Sequence, residues 1–551
     1  MFKYFLFFIL LLDNLNAVVI KPLKFIDDSS SQRVVEKLHP KSHINIFLPS
    51  IPYSYIAKNT NAGLIRSSDN NKGWVYDLAK THTRVDDYTY EFELREGLKF
   101  QDGTDFDTDS VVENLDYFKK SPILYTNIDN IDFDVIKLDK HRFKILLKQK
   151  YEMFFSDLAR IYFYSKKYLD TYGFKGAETG SAIQAPGPFG MGPYILAQGF
   201  ALGEKQTSKL ELEANPYYWN ADFPKIKRVT VYTQLNTNEA IKMITQEEGK
   251  LDIVPIPFNK KIEVLRSKYA KLIISESTNN FIVFFNLING NKKLRNTELR
   301  VALNQAINQE NLLNFVYKNE GFFSPFATSV NYKIVKKVLE NCEVNDSKFS
   351  KDKMIELLSG LQLNVFTQDR FMFLWKGIEY QLREYGVTLN YTITNSEKDI
   401  YAQLLTTNKS KNTKEWDLLI WGDDDWYYAN PWTVFFIYEN DSAWSTIGKD
   451  DLMSKYINTF FETKIGTKKY EKIVSKILYR ARDKAYTLRV PSPNKVIAVN
   501  KEVVFKPYKG AIIPLWNIQI TKDHWSIRGE KPYPKDLHAP IKAQRIENEN
   551  N

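Results

Sequence analysis

The chain of 551 residues carries 76 Lys and Arg against 66 Asp and Glu, a formal charge of +10. Its length exceeds what one compact core sustains and points to two or three domains, while 43% hydrophobic and 26% charged residues are the balance of a soluble globular protein. The basic residues are dispersed among acidic ones, without the clustered charge a nucleic-acid partner needs, and the lone Cys342 excludes an intramolecular disulfide and Cys-rich metal sites.

The first residues, MFKYFLFFILLLDNLNAVV, place Lys3 before an apolar run from Tyr4 to Leu12. The run is shorter than the roughly 20 residues that span a bilayer, and small Ala17 follows it. This pattern predicts a secretory signal peptide cleaved near Ala17, with no cysteine beside it for a lipid anchor. Residues 18–42 read as a polar lead-in. INIFLP (Ile44–Pro49) reads as a first strand. In YTYEFELREGLKFQDG, Tyr88, Tyr90, Phe92 and Leu94 alternate with polar residues, the mark of a half-buried strand. Gly97 and Gly103 then supply turns. Asp107 or Thr108 is a candidate cap for a helix presenting Val111, Val112, Leu115 and Phe118.

Further on, FGMGPYIL enters a strand through a Gly-Pro turn, and KLELEANPYYW alternates until Asn215-Pro216. IKRVTVYTQ is another strand, and TNEAIKMITQEEGKLDIVPIP reads as a helix, a Gly249 stop and a strand. NFIVFFNL (Asn280–Leu287) is apolar enough for a strand buried on both faces. Leu299, Ala302, Leu303 and Ala306 recur at helical spacing. A helix, a Gly386 stop and a strand follow in FMFLWKGIEYQLREYGVTLNYTIT. WDLLIWG is a strand, KYEKIVSKILYRARDKAY an amphipathic helix, and VIAVNKEVVFKP returns as strands. The class is α/β, with irregular spacing that suits two lobes better than a barrel.

Catalytic signatures are missing. The sequence holds no G-x-S-x-G, no H-E-x-x-H and no P-loop. Of six histidines, only His39 and His43 have i,i+4 spacing, and Pro40 between them argues against a helix that would make them a metal pair. No catalytic residues, metal ligands or cofactor site are assigned, and the chain reads as a binding protein and not an enzyme.

Several segments in order carry a family resemblance. GWVYDLAKTHTRVDDYTYEFELREGLKFQDGTDFDTDSVVENLDYF, GMGPYIL, LEANPYYWNADFPKIKRVTV, TNEAIKMITQEEGKLDI and FIVFFNLINGNKKLRNTELRVALNQAINQENLL together resemble the family 5 solute-binding proteins. These are the dipeptide, oligopeptide and nickel-type receptors of ABC importers. The tryptophan usual after "LA" is replaced here by KTHT. The resemblance implies a two-lobe periplasmic binding protein-like fold of the large three-subdomain type (class II), with the ligand cleft between lobes. It places lobe one at 43–283 with a return at 503–540, lobe two at 284–502 and a polar tail at 541–551. FIVFFNL and VIAVNKE are then the crossover candidates. It further implies a monomer in the periplasm that binds a short peptide and hands it to an inner-membrane ABC permease. The alternatives are the same fold binding a nickel or other metal chelate or a sugar, and, in a different class, a secreted hydrolase.

The segment WGDDDWYYANPW (Trp421–Trp432) sets three carboxylates among aromatics. In peptide-binding members a strand ending "GW..D" carries the Asp that pairs with the ligand's α-amino group. That resemblance nominates Asp424, with Asp423 and Asp425 beside it. An ammonium in a closed cleft needs a carboxylate, because an unpaired buried charge is costly. Trp421, Trp426, Tyr427, Tyr428 and Trp432 are candidate pocket walls. Arg370, whose guanidinium fork suits a carboxylate, is a candidate for the peptide's other end. Asn286 is a candidate for the peptide backbone, and Gly190 and Gly192 for a close backbone approach. No histidine stands near the aspartates, where nickel-type members tend to use one.

Overall fold

The computed structural model describes residues 23–48, 53–70, 72–120, 132–171, 185–201, 207–340, 348–394, 397–406, 416–423, 430–431, 435–440, 442, 444–510 and 513–546. The predicted signal peptide lies outside them. Three sheets organise the chain. The largest has eight strands, in the order Gln544–Ile546, Ala270–Ser275, Lys495–Asn500, Ile253–Pro255, His43–Phe47, Arg228–Tyr232, Lys209–Ala214 and Tyr194–Gln198. His43–Phe47 runs parallel to Arg228–Tyr232 and Ile253–Pro255 at its two sides.

A four-stranded antiparallel sheet forms the second unit: Ala79–Arg84, Thr89–Leu94, Arg142–Leu147 and Phe133–Lys137. The alternation in YTYEFEL decides it. Tyr90, Phe92 and Leu94 point inward, and Phe92 stands opposite Phe143 in register with the rings stacked 5.5 Å apart. The next helix, Thr108–Lys120, starts where Asp107 Oδ1 accepts from the Asp109 N–H at 2.9 Å, so Asp107 and not Thr108 takes the capping role. Its Val111, Leu115 and Phe118 join the same core.

The third sheet has five strands, in the order Thr388–Thr394, Gln362–Gln368, Leu418–Asp423, Asn280–Phe285 and Thr487–Leu488. Gln362–Gln368 is parallel to both its neighbours, and Asn280–Phe285 is antiparallel to both of its own. Its helices bury a separate core, with Trp375 and Ile378 inside helix Met372–Arg383 fully enclosed.

The chain passes between the large sheet and the five-stranded sheet twice, at 276–279 and at 489–494. These crossings correct the expected boundaries. FIVFFNL lies inside the five-stranded sheet and VIAVNKE inside the large one, so neither is itself a crossing. Lys495–Asn500 belongs with lobe one because it pairs with Ala270–Ser275 and Ile253–Pro255. Residues 280–488 lie between the two crossings, where 284–502 was expected for lobe two. Two further expectations change. The lead-in is built into lobe one: Val35 N–H donates to Ile520 O at 2.8 Å, and Lys271 Nζ, 1% exposed, meets Asp28 Oδ2 at 2.7 Å. The expected tail supplies the edge strand Gln544–Ile546, parallel to Ala270–Ser275.

Gly192 lies close against the backbone at Thr60 and Asn61. Its N–H donates to Thr60 O at 3.0 Å, and a Cβ there would lie 2.4 Å from the Thr60 carbonyl carbon. Gly190 is equally crowded by Thr60 and Asn61. Gly192→Ala is expected to lower the unfolding free energy of lobe one by about 1–3 kcal/mol, the cost of overpacking. Urea unfolding measures it, and an unchanged midpoint would contradict the packing.

The lead-in gives a second prediction. Burial pushes the Asp28 carboxyl up, and attraction and hydrogen bonding from Lys271 more than reverse this, so it sits below its ordinary range. A depressed carboxylate stabilises the fold above its ordinary range, and the contribution disappears as pH falls below about 4. Asp28→Asn leaves Lys271 buried without its carboxylate and is expected to cost about 3–5 kcal/mol near neutral pH. The gap between the two proteins should shrink toward pH 3. Equal stability near neutral pH would show that the lead-in does not anchor the sheet.

Candidate functional site

The site follows from strand direction. Gln362–Gln368 and Leu418–Asp423 are parallel and end at the boundary between lobes, where Asn280–Phe285 begins straight after the first crossing. In register, Asp423 faces Asn280 and Trp421 faces Ile282. The carboxyl ends of parallel strands are where α/β sheets present ligands, because the loops there are free to diverge. Trp421 is half-buried against a core cluster shared by both lobes. Asp424, Asp425, Trp426, Tyr427, Tyr428 and Trp432 lie outside the described residues, as does the side chain of Asp423. Chain description resumes at Asn430, whose Oδ1 accepts from the Tyr470 hydroxyl at 2.8 Å.

Arg370 sits on the same sheet edge, two residues beyond Gln368. It is exposed, its Nε donates to Gln368 Oε1 at 3.0 Å, and its guanidinium lies over Phe371 at 4.8 Å. Asn286, expected to meet a peptide backbone, lies elsewhere along the chain. It follows the far end of Asn280–Phe285, roughly 20 Å from the boundary at about 3.3 Å per residue. Its amide is committed within lobe two: Nδ2 donates to Trp416 O at 3.0 Å and Oδ1 accepts from the Asn289 N–H at 2.9 Å. A peptide backbone would have to displace both bonds.

The crossings carry buried polar side chains, among them Ser277, Thr278 and Ser492. Ser492 Oγ donates to Asn280 Oδ1 at 2.6 Å, joining the outgoing and returning chain. Asn331 Nδ2 donates to Ser277 O at 2.7 Å, while its Oδ1 and Thr328 Oγ1 are buried with no hydrogen-bond partner among the described residues. Buried polar atoms in that state usually await a partner.

Farther from the crossings, the four-stranded unit meets lobe two. Glu152 N–H donates to Phe461 O at 2.8 Å, and the Tyr151 and Phe461 rings lie 5.5 Å apart. One hydrophobic cluster runs from Phe92 and Phe154 through to Phe326, Trp416 and Phe435, so the two lobes are in contact here. Between them is a cavity of about 460 Å³ whose walls include Trp74 and Phe155 from lobe one, and Lys333, Asn430 and Tyr470 from lobe two. Trp74 and Phe155 stack at 4.9 Å. Behind them, His82 bonds the Tyr76 hydroxyl through Nδ1 at 2.8 Å, and burial with the nearby charge of Lys72 depresses its proton affinity. The volume is that of a small-ligand site. The sequence reading did not single out Trp74, Phe155 or Lys333: each looks like ordinary core or surface, and only the meeting of lobes groups them.

Among the described residues, no group of three or more His, Cys, Asp or Glu side chains is placed to hold a metal ion, and no helix is long and apolar enough to cross a membrane.

Comparison with known proteins bears on the fold and the family. The glutathione-binding protein GsiB of Escherichia coli K12 is 31% identical over 262 residues, which cover 46% of this chain and 47% of GsiB; the match thus spans about half the length of these curated relatives. Among solved structures, NikA from Staphylococcus aureus in complex with Ni(L-His)2 superposes with a TM-score of 0.71 at 19% identity, covering 87% of this chain and all of NikA. The oligopeptide-binding protein AppA from Bacillus subtilis, in complex with a nonapeptide, gives 0.71 at 15% identity, covering 88% of this chain and all of AppA. Such distant likeness fixes the two-lobe fold. Residues 73–445 match the model of the bacterial extracellular solute-binding proteins, family 5 Middle, and the chain belongs to that family.

Proposed function

We propose that this chain is the periplasmic receptor of an ABC importer. It is exported by a signal peptide cleaved near Ala17, captures short peptides as a monomer between its closing lobes, and delivers them to an inner-membrane permease without chemical turnover. The observation that carries the reading is the register of Asp423 against Asn280, which ends strand Leu418–Asp423 at the lobe boundary. At such a boundary a carboxylate stabilises a ligand's ammonium, and neighbouring aromatic faces add about 0.5–2 kcal/mol. Closure excludes water and strengthens both contacts. The names of relatives point the same way: GsiB is a glutathione-binding protein, and AppA holds a nonapeptide.

In this reading Asp424 receives the amino terminus, with Asp423 and Asp425 flanking it, and the aromatic residues enclose the ligand's body. Arg370, on the same edge, is the candidate for a carboxylate of the ligand. Calorimetry with tri-alanine and N-acetyl-tri-alanine tests the assignment. Asp424→Asn should weaken the free-amine peptide by about tenfold or more, about 1.4 kcal/mol, and the acetylated peptide far less. Equal losses for the two peptides would contradict the role of Asp424. Asp423→Asn and Asp425→Asn, run alongside, identify which carboxylate of the three makes the contact.

A further inference from the structure

We propose that the C-terminal strand Gln544–Ile546 is a strap across both lobe crossings, and that the ion cluster of Arg545 and Lys261 with Glu320 is a latch that sets how often the lobes stand together. The inference rests on the reading that the lobes open and close over a ligand, and not on the ligand being a peptide. The strap lies beside the first crossing, where the Glu276 N–H donates to Ile546 O at 3.3 Å. Glu320 lies beside the second, where its carbonyl accepts from the Asn494 N–H at 3.1 Å. Between them the Arg545 guanidinium donates to both carboxylate oxygens of Glu320 at 3.0 Å. A line of contacts thus runs from one crossing to the other. Rotation of the lobes about their crossings has to move Glu320 relative to Arg545.

Glu320 is fixed from its own side. Helix Gln309–Tyr317 ends in two consecutive non-glycine residues in the left-handed region, Lys318 at φ 51° and Asn319 at φ 64°. That conformation costs free energy in a residue with a Cβ. It is held by the Glu320 N–H, which donates to Tyr317 O at 2.9 Å, and it turns Glu320 toward lobe one. Lys261, the first residue of helix Lys261–Leu265 in lobe one, completes the cluster. Its Nζ meets Glu320 Oε1 at 2.7 Å and lies 3.5 Å from Lys318 O. The side chain of Glu320 is 4% exposed, against 21% for Lys261 and 56% for Arg545. A carboxylate so buried is stable only with its cations in place, and both cations sit on lobe one. Parting the lobes here strips Glu320 of them, so the latch favours the arrangement in which the lobes stand together. The strap is itself anchored, since the Gln544 amide donates to Asp28 Oδ2.

The test reads lobe separation directly and needs no ligand. Spin labels are introduced through Asp116→Cys and Lys455→Cys, exposed positions on helix Thr108–Lys120 of lobe one and helix Asp451–Phe461 of lobe two. The background is the full chain with Cys342→Ser, and double electron–electron resonance gives the distance distribution. Arg545→Met removes the more exposed cation and is expected to raise the ratio of long to short distances about two- to fivefold, the scale of an exposed ion pair. Glu320→Gln removes the charge that both cations share and is expected to raise it about tenfold or more. Arg545→Lys should restore most of the original ratio. Unfolding midpoints are recorded alongside, because a bond that only stabilised the fold would lower the midpoint and leave the distances in place. If Glu320→Gln fails to fold, Arg545→Met decides alone. An unchanged distribution in Arg545→Met, or a shift toward short distances, overturns the latch. Tri-alanine is then titrated into the same proteins: distances that move as expected while no tri-alanine binds would support the latch and count against the peptide reading.

Discussion

The two short crossings at 276–279 and 489–494 are the constraint on which the rest depends. Each joins a strand of one lobe to a strand of the other, so whatever holds the crossings sets how the lobes meet. Ser492 and Asn280 bind them together side chain to side chain. Beside them Glu320, at the end of helix Gln309–Tyr317, is 3% exposed. Its carboxylate takes Arg545 through both oxygens at 3.0 Å and Lys261 at 2.7 Å. Burial alone would push that carboxyl up; the bonds from Arg545 and Lys261 outweigh it and keep it charged. Lys261 and Arg545 belong to lobe one, so the ion cluster is a bond between lobes. The Gly321–Phe322 and Ser492–Pro493 pair extends the same junction in backbone hydrogen bonds.

From that junction the site is a matter of register. Asn280–Phe285 begins where the crossing ends, and its antiparallel partner Leu418–Asp423 must therefore finish there. A slip of one residue would turn Trp421 to the other face of the sheet and remove it from the shared core. The buried residues on both faces of Asn280–Phe285 resist such a slip, since Ile282 and Phe284 pack in one cluster while Val283 and Phe285 pack in another. The fold thus ends strand Leu418–Asp423 at the boundary between lobes, in a register that burial on both faces of its partner holds.

Much of this was legible in the residues. Period-two runs such as YTYEFEL became strands, Asp107 became a helix cap, and ordered motifs over 72–315 identified the family. What escaped was partner choice. Lys495–Asn500 is an apolar strand that suits either lobe, and only pairing assigns it to the large sheet. Gln544–Ile546 looks like a polar tail because an edge strand needs few apolar residues. Asn286 follows an apolar strand, and only strand direction shows that it stands at the end away from the crossing. The cavity is the extreme case: Trp74 and Lys333 are distant in sequence, and each is unremarkable until the lobes meet.

The most direct test is the identity of what the protein carries. The full chain, purified without denaturation from its native cells, would be examined intact by native mass spectrometry and then gently unfolded to release its cargo. The account predicts a ladder of short peptide masses bound one per chain. A single non-peptide mass, or a metal complex, would contradict it while leaving the two-lobe fold in place.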